Sequence, residues 1–117
     1  MEDITFRVIR ILGEVDLIAS EDTRRTVKIL EKYNIKTHLT SYHKYSSKGK
    51  IDQIMGWLKS GKNIALVSDA GMPGISDPGE ELIARCIEED IPLIAVPGPS
   101  SLTTAIVLSG LPCNTFV

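Results

Sequence analysis

Apolar residues recur three or four positions apart in five segments of the chain, the spacing that places them on one face of an α-helix. Residues that cap helix N-termini precede these segments, and glycine, asparagine or aspartate follows several of them. The spacing predicts five helices with approximate bounds 3–12, 22–34, 46–60, 82–90 and 100–108. The apolar positions expected to be buried include Val27, Leu30, Ile51, Ile54, Met55, Leu58, Leu82, Ile83, Cys86 and Ile87.

Shorter segments between these helices have the composition of β-strands. Residues 15–20, 63–67 and 91–96 are largely apolar, as in strands buried on both faces, and residues 37–42 are polar but β-favouring. Strands that alternate with helices predict an α/β domain with a mostly parallel sheet flanked by helices. Ligands of such domains bind at the carboxyl ends of the strands. We therefore expect one domain, residues 1–117, with its site at that edge.

Composition excludes several classes of protein. The chain has 117 residues, 43% of them hydrophobic and 24% charged, which is typical of a globular domain rather than a disordered or fibrous one. It contains neither a long apolar run nor a secretory signal, so we expect no membrane association and a cytoplasmic location. Cys86 and Cys113 lie far apart in sequence and are expected to be free thiols without a catalytic role.

The charge is unevenly distributed along the chain. The net charge is −2, yet residues 24–50 hold eight of the thirteen basic residues and only one acidic residue, Glu31. This segment also contains all three tyrosines and both histidines, and cations interleaved with aromatic rings suit an RNA backbone with unstacked bases. A solvated, lysine-rich helix and loop would explain the same pattern. The members of this segment are Arg24, Arg25, Lys28, Lys32, Lys36, Lys44, Lys48, Lys50, Tyr33, Tyr42, Tyr45, His38 and His43.

Three motifs with candidate chemistry follow predicted strands. The first, directly after residues 15–20, is Glu21-Asp22-Thr23-Arg24-Arg25-Thr26. Carboxylates can bind ribose hydroxyls or orient a nucleophilic hydroxyl, and arginines bind phosphate as a fork. A helix N-terminus with acids in its first turn is the alternative interpretation.

The second motif is the loop 68–79, and the third is the turn that follows residues 91–96. The loop contains three glycines, which allow close backbone approach to a ligand, and two prolines, which restrict its shape. It has neither the P-loop nor the dinucleotide fingerprint. In the third motif, Pro97-Gly98-Pro99-Ser100-Ser101, the hydroxyls could contact a ligand or cap a helix. A structural turn remains the alternative for the loop.

Taken in order, these motifs resemble a known family over essentially the whole chain. The quoted segments are Leu17-Ile18-Ala19-Ser20-Glu21-Asp22-Thr23-Arg24, then Ala65-Leu66-Val67-Ser68-Asp69-Ala70-Gly71-Met72-Pro73-Gly74-Ile75-Ser76-Asp77-Pro78-Gly79, then Val96-Pro97-Gly98-Pro99-Ser100. They are similar to the ribose-2′-O-methyltransferases of small-subunit ribosomal RNA, which share the tetrapyrrole (corrin/porphyrin) methylase fold. The resemblance implies a transferase that uses S-adenosylmethionine and forms a homodimer, with no metal.

The resemblance also implies roles for individual residues. Glu21 and Asp22 become the candidates for orienting or deprotonating the ribose hydroxyl. The residues implied in binding RNA are Thr23, Arg24, Arg25 and Lys28. The residues implied in binding the cofactor are Ser68, Asp69, Ala70, Gly71, Met72, Pro73, Ile75, Pro97, Gly98, Ser100 and Ser101.

The sequence departs from the family pattern at both ends. Family members open with a strand and a Pro-x-Gly-Asn-Leu turn before the helix that begins here at Asp3, and they continue into a second domain that closes the cofactor cleft. We therefore expect this chain to correspond to the N-terminal methylase domain without its first strand. Two other hypotheses remain open: a methyltransferase acting on a tetrapyrrole, and a non-catalytic module that binds RNA or dimerises.

Overall fold

A computed structural model describes residues 6–20, 23–42, 48–68, 79–97 and 104–110. Within these ranges the chain forms four helices and five strands. In chain order they are α1 (Phe6–Glu14), β1 (Leu17–Ser20), α2 (Thr23–Lys32), β2 (His38–Ser41), α3 (Lys48–Lys59), β3 (Asn63–Ser68), α4 (Gly79–Glu88), β4 (Leu93–Pro97) and β5 (Thr104–Ser109). None of the described helices has both the length and the apolar composition needed to cross a membrane.

The five strands form a single sheet in the order β2-β1-β3-β5-β4. Strand β1 pairs in parallel with β2 and with β3, whereas β5 lies antiparallel between β3 and β4. Four of the five strands therefore point in one direction. This arrangement confirms the expected α/β class with a mostly parallel sheet.

The final element differs from the prediction. The helix expected over residues 100–108 is wrong for its described part, because Thr104–Ser109 form strand β5. Three of these six residues, Thr104, Ile106 and Val107, are β-branched and favour extended backbone. A short, continuously apolar run fits a buried strand as well as a helix, and here hydrogen bonding to strands on both sides decides the outcome.

The core lies in two layers, one on each face of the sheet. On one face α1 and α2 pack on the sheet through Val8, Ile11, Leu12, Ile29 and Leu30. On the other face α3 and α4 pack through a second cluster, whose helical members are Ile51, Ile54, Met55, Leu58, Leu82 and Cys86. The predicted apolar stripe of α3 is thus confirmed at all four positions. Ile87 is an exception in α4, because 63% of it is exposed.

Three helices end in a residue with left-handed backbone, which turns the chain back toward the sheet. Asn34 follows α2 with φ 57°, Gly61 follows α3 with φ 101°, and Asp90 follows α4 with φ 58°. Glycine, asparagine and aspartate tolerate this conformation better than other residues. These three residues lie where the sequence predicts the helices to end.

Polar contacts hold the strands together at the edge where β1 and β3 begin. The backbone N–H of Asn63 donates to Asp16 Oδ2 at 2.8 Å, and the N–H of Asp16 donates to the Asn63 carbonyl at 2.9 Å. Ser109 Oγ donates to Asn63 Oδ1 at 2.7 Å. Asn63 therefore joins β1, β3 and β5 at this amino edge.

Exposed ion pairs join α3 to α4 on the outer surface. Arg85 pairs with Asp52 at 3.3 Å and with Glu89 at 3.4 Å, and Lys59 also pairs with Glu89. The hydrogen bond from Lys59 lowers the pKa of Glu89. Exposed pairs of this kind contribute little individually, so the buried stripe remains the main contact between these helices.

We expect Gly110→Ala to destabilise the protein by about 3 kcal/mol. A Cβ at position 110 would lie 1.7 Å from the carbonyl oxygen of Leu58 at the end of α3. The matched control is Gly56→Ala, because the corresponding Cβ in α3 meets open space and should stabilise the helix by about 0.5 to 1 kcal/mol. Urea unfolding measures both changes, and equal stability of the two variants would contradict the packing of residue 110 against α3.

We expect the Cys86 thiol to be unreactive in the native protein. It is fully buried, its Sγ lies 3.9 Å from Met55 Sδ, and burial raises its pKa to about 11. In a Cys113→Ser background, alkylation at neutral pH should be at least about a hundredfold slower in the native than in the unfolded chain. Similar rates would show that packing of α4 against α3 and the sheet does not bury this thiol.

The raised pKa of Cys86 also predicts how stability depends on pH. Below the ordinary thiol pKa, Cys86 is protonated in both the folded and the unfolded chain, and its contribution to stability is fully present. Above that pKa the unfolded chain loses the proton first, so this contribution is lost as the pH rises through about 11. The difference in free energy of unfolding between the protein and Cys86→Ala should shrink by on the order of 2 to 3 kcal/mol across that interval. Urea titrations at several alkaline pH values measure it, and a constant difference would contradict the prediction.

Candidate functional site

The three motifs singled out in the sequence leave the sheet at one edge. Ser20, the last residue of β1, pairs with Val67 of β3, and the next residue, Ser68, pairs with Thr104 of β5. Thr104 in turn pairs with Pro97, the last residue of β4. The ends of β1, β3 and β4 therefore lie within one residue of the same row across the sheet. This register confirms the prediction that the motifs share the carboxyl edge.

Strand β5 separates the starting points of the second and third motifs. Because β5 lies between β3 and β4, the loop after Ser68 and the turn after Pro97 begin two strand spacings apart, or about 9.5 Å. The first motif begins one spacing from β3 on the other side. The three segments thus start along one short line, with the second in the middle.

Beneath this edge the sheet is neutral and largely apolar. Val67 and Val96 are 1% exposed, and Ala19 is fully buried in the preceding row of β1. Among the described side chains at this edge Ser20 is polar and buried, and its partner Thr26 lies on α2. A ligand at the edge would therefore lie above a floor without charged side chains among the described residues.

A buried hydrogen bond fixes the corner between β1 and α2. Ser20 Oγ lies 2.6 Å from Thr26 Oγ1, and both residues are at most 1% exposed. The Ser20 carbonyl also accepts from the backbone N–H of Tyr42 at 2.9 Å, which ties the ends of β1 and β2 together. This contact is not predictable from the sequence, since two hydroxyl residues six positions apart indicate no contact until the strand and the helix are placed.

The predicted RNA-binding residues lie at the start of α2. Thr23 is its first residue and is half-buried, whereas Arg24, Arg25 and Lys28 are exposed. The structure thus brings these four residues together on a helix that begins at the carboxyl edge. The catalytic candidates Glu21 and Asp22 lie outside the described residues, between Ser20 and Thr23 in sequence.

The predicted cofactor-binding residues are described only where the strands end. Ser68 closes β3 and Pro97 closes β4, and the backbone of both is placed by strand pairing. The other members of the set lie outside the described residues, and their assignment stays a prediction. These are Asp69, Ala70, Gly71, Met72, Pro73, Ile75, Gly98, Ser100 and Ser101.

The outward side of α2 carries a shallow depression. Among described residues it is lined by Thr23, Arg24, Val27, Lys28 and Glu31. Burial of Val27 was predicted, but 39% of it is exposed, because Thr26, Ile29 and Leu30 form the buried side of the helix instead. The hydroxyl of Thr26 made that side less evident from the sequence.

The described aromatic residues that were predicted to contact RNA differ in exposure. Tyr42 is 3% exposed and packs against α3, so its expected base stacking is wrong. Tyr33 is half-buried, and Lys32 Nζ lies 5.7 Å from the centre of its ring. His38 is exposed at the start of β2. His43 and Tyr45 lie outside the described residues.

Most described cations of the basic segment are exposed. Lys32 and Lys36 are exposed, like the three cations at the start of α2. Lys50 is half-buried and donates from Nζ to Thr40 Oγ1 at 2.9 Å, so this cation has a structural partner. Lys44 and the side chain of Lys48 lie outside the described part. No cluster of three potential metal ligands occurs among the described side chains.

Comparison with known proteins places this arrangement in a family. The chain is 52% identical over its full length to a protein of Thermotoga maritima named ribosomal RNA small subunit methyltransferase I, and it covers 53% of that protein. Proteins of the same name from Halalkalibacterium halodurans and Synechocystis are each 49% identical over 99% and 98% of the chain, which covers 40% and 41% of them.

The chain thus spans about half the length of the curated relatives that it matches. A family model described as Tetrapyrrole (Corrin/Porphyrin) Methylases matches residues 1–116. The chain belongs to the tetrapyrrole (corrin/porphyrin) methylase family.

Proposed function

We propose that this chain forms one side of the active site of an S-adenosylmethionine-dependent methyltransferase that acts on a ribose 2′-hydroxyl of small-subunit ribosomal RNA. The observation that carries the proposal is the common edge from which all three motifs leave the sheet. The names of the relatives support an RNA substrate, since each is called a ribosomal RNA small subunit methyltransferase.

The described residues fit the cofactor at this edge. Its floor is neutral and apolar at Val67 and Val96, which suits a ligand held mainly by loop backbone rather than by charged side chains. When bound, the sulfonium of the cofactor supplies an electrophilic methyl group.

The chain's own residues would position the ribose hydroxyl. Glu21 and Asp22 connect β1 to α2, whose relative placement is fixed by the hydrogen bond between Ser20 and Thr26. A carboxylate in this connection would accept the proton of the 2′-hydroxyl or orient it toward the methyl group. Ser20 and Thr26 act as positioning residues, because both are buried.

The exposed cations of α2 support RNA over a tetrapyrrole substrate. Arg24, Arg25 and Lys28 lie beside the edge and are exposed, as contacts to a phosphate backbone require. A tetrapyrrole carries its carboxylates around one compact ring and has no phosphate backbone, so it has less use for cations spread along a helix. A non-catalytic RNA-binding module remains the second candidate, and cofactor binding distinguishes it.

A homodimer and a cytoplasmic location are part of the same proposal, and sedimentation analysis tests the dimer.

Titration calorimetry with S-adenosylhomocysteine tests the proposal directly. We expect this chain to bind the ligand, and Gly71→Val to reduce the affinity at least about a hundredfold, because a β-branched side chain restricts the loop and blocks backbone approach. Gly56→Ala is the matched control, since position 56 is an open site on α3 far in sequence from the motifs, and it should leave the affinity unchanged.

The full-length Thermotoga maritima relative provides the positive control for this titration. If it binds the ligand and the present chain does not, the site needs residues beyond the three motifs. Failure of both to bind would contradict the methyltransferase proposal and favour the non-catalytic module. Unchanged affinity in Gly71→Val would remove the loop from the site.

The double variant Arg24→Ala, Arg25→Ala should weaken RNA binding without changing S-adenosylhomocysteine binding. Loss of two phosphate contacts predicts about a tenfold lower affinity for single-stranded RNA and a salt-dependence slope that is smaller by about 1.4. Fluorescence anisotropy at several salt concentrations measures both quantities. Equal RNA affinity would show that the start of α2 does not face RNA.

A further inference from the structure

The exposed cations of α2 continue beyond the predicted RNA-binding residues. Arg24, Lys28 and Lys32 are spaced four residues apart and are all exposed, so they form a row along the helix. We call these three residues the α2 basic row. With a rise of about 1.5 Å per residue, the row is about 12 Å long and its charges are about 6 Å apart along the axis.

The row runs from the carboxyl edge of the sheet, where the candidate site lies, toward the amino edge. Thr23 follows β1 at the carboxyl edge, and β2 starts where Leu17 pairs with His38, at the amino edge. Because β1 and β2 are parallel, the helix between them must return across the sheet. Arg24 therefore lies near the candidate site, and Lys32 lies about 12 Å farther from it.

Two side chains beside the row add an apolar contact and an aromatic contact to this surface. Val27 is 39% exposed within the depression and offers an apolar contact between cations. Lys32 Nζ lies 5.7 Å from the centre of the half-buried Tyr33 ring, within the range of a cation–π contact that orients the ammonium. Glu31 is the only acidic residue of α2, so the outward side is almost uniformly positive.

We propose that a single-stranded RNA segment adjacent to the target nucleotide lies along the α2 basic row, from Arg24 at the site to Lys32 at the far end. This inference rests on the proposed function and adds the path and the strandedness of the substrate. A row of three cations follows the phosphates of one strand, and an exposed apolar side chain between them suits an unpaired base. Protein recognition of duplex RNA spans successive grooves and needs a wider surface than one helix.

The test compares RNA oligonucleotides of two lengths in fluorescence anisotropy. Both are oligouridines, which stay unpaired, and the short form has about 2 nucleotides and one phosphate, whereas the long form has about 12 nucleotides. We expect Lys32→Gln to weaken binding of the long form about threefold to tenfold and to leave the short form nearly unchanged, because one phosphate cannot contact both ends of the row. Arg24→Gln should weaken binding of both lengths, because position 24 lies at the site.

Two further measurements test the same proposal: the salt dependence of binding, and a variant that removes a negative charge and should raise the affinity. Each glutamine substitution in the row should lower the slope of log affinity against log salt by about 0.7 for the long single strand. Glu31→Gln should raise the affinity about twofold to threefold, because it removes the acidic residue beside the row. Glutamine has nearly the helix propensity of lysine and arginine, so α2 should persist, which circular dichroism verifies.

Lys62→Gln is the matched control, because Lys62 is exposed in the turn before β3 and lies outside α2. We expect it to leave RNA affinity unchanged. A uniform loss of affinity for both lengths in Lys32→Gln would overturn the proposed path, and so would equal affinities of the protein and the Lys28→Gln, Lys32→Gln double variant. Preferential binding of duplex RNA through the same residues would overturn the single-strand assignment.

Titration of S-adenosylhomocysteine into the same variants separates this inference from the proposed function. If the ligand binds but RNA affinity is indifferent to Lys28 and Lys32, the path along α2 is wrong and the methyltransferase proposal stands. If the ligand does not bind but RNA affinity follows the row, the methyltransferase proposal fails and the path stands.

Discussion

Parallel pairing of β1 with both β2 and β3 constrains the whole domain, because each connection must cross back over the sheet before the next strand begins. Each crossing carries a helix, and each strand of this parallel set ends at the same edge. Segments that follow β1, β3 and β4 are therefore brought together although each begins about thirty to fifty residues after the one before it. The position of the candidate site therefore follows from the order and direction of the strands and does not depend on particular side chains.

The two edges of the sheet differ in chemistry. At the amino edge, Asn63 bonds to Asp16 and Ser109, so the polar groups there satisfy one another. At the carboxyl edge the sheet ends in buried valines, and the buried hydroxyls of Ser20 and Thr26 are bonded to each other. The described polar side chains at the carboxyl edge are thus buried and bonded to each other rather than turned toward a ligand. Substitutions in the loops at the carboxyl edge can therefore change ligand binding while the described core keeps its contacts.

Much of the fold could be predicted from the sequence because local signals and tertiary packing agree. The stripe of α3, from Ile51 to Leu58, is buried as its spacing predicts, and Asn34 and Gly61 adopt the left-handed backbone expected after a helix. Prediction failed where local signals were ambiguous. Residues 104–109 carry no periodic polar positions, so pairing with β3 and β4 decides their structure.

The candidate site was predictable in position but not in its details, because details depend on which side of an element faces the core. Tyr42 suggested a base-stacking surface, yet it follows β2 on the side covered by α3 and is buried there. Val27 suggested a core residue, yet Thr26 takes the inward position by bonding to Ser20. The same rotation of α2 turns Arg24 and Lys28 outward. One buried hydrogen bond at the end of β1 thus helps determine which side of α2 is available to RNA.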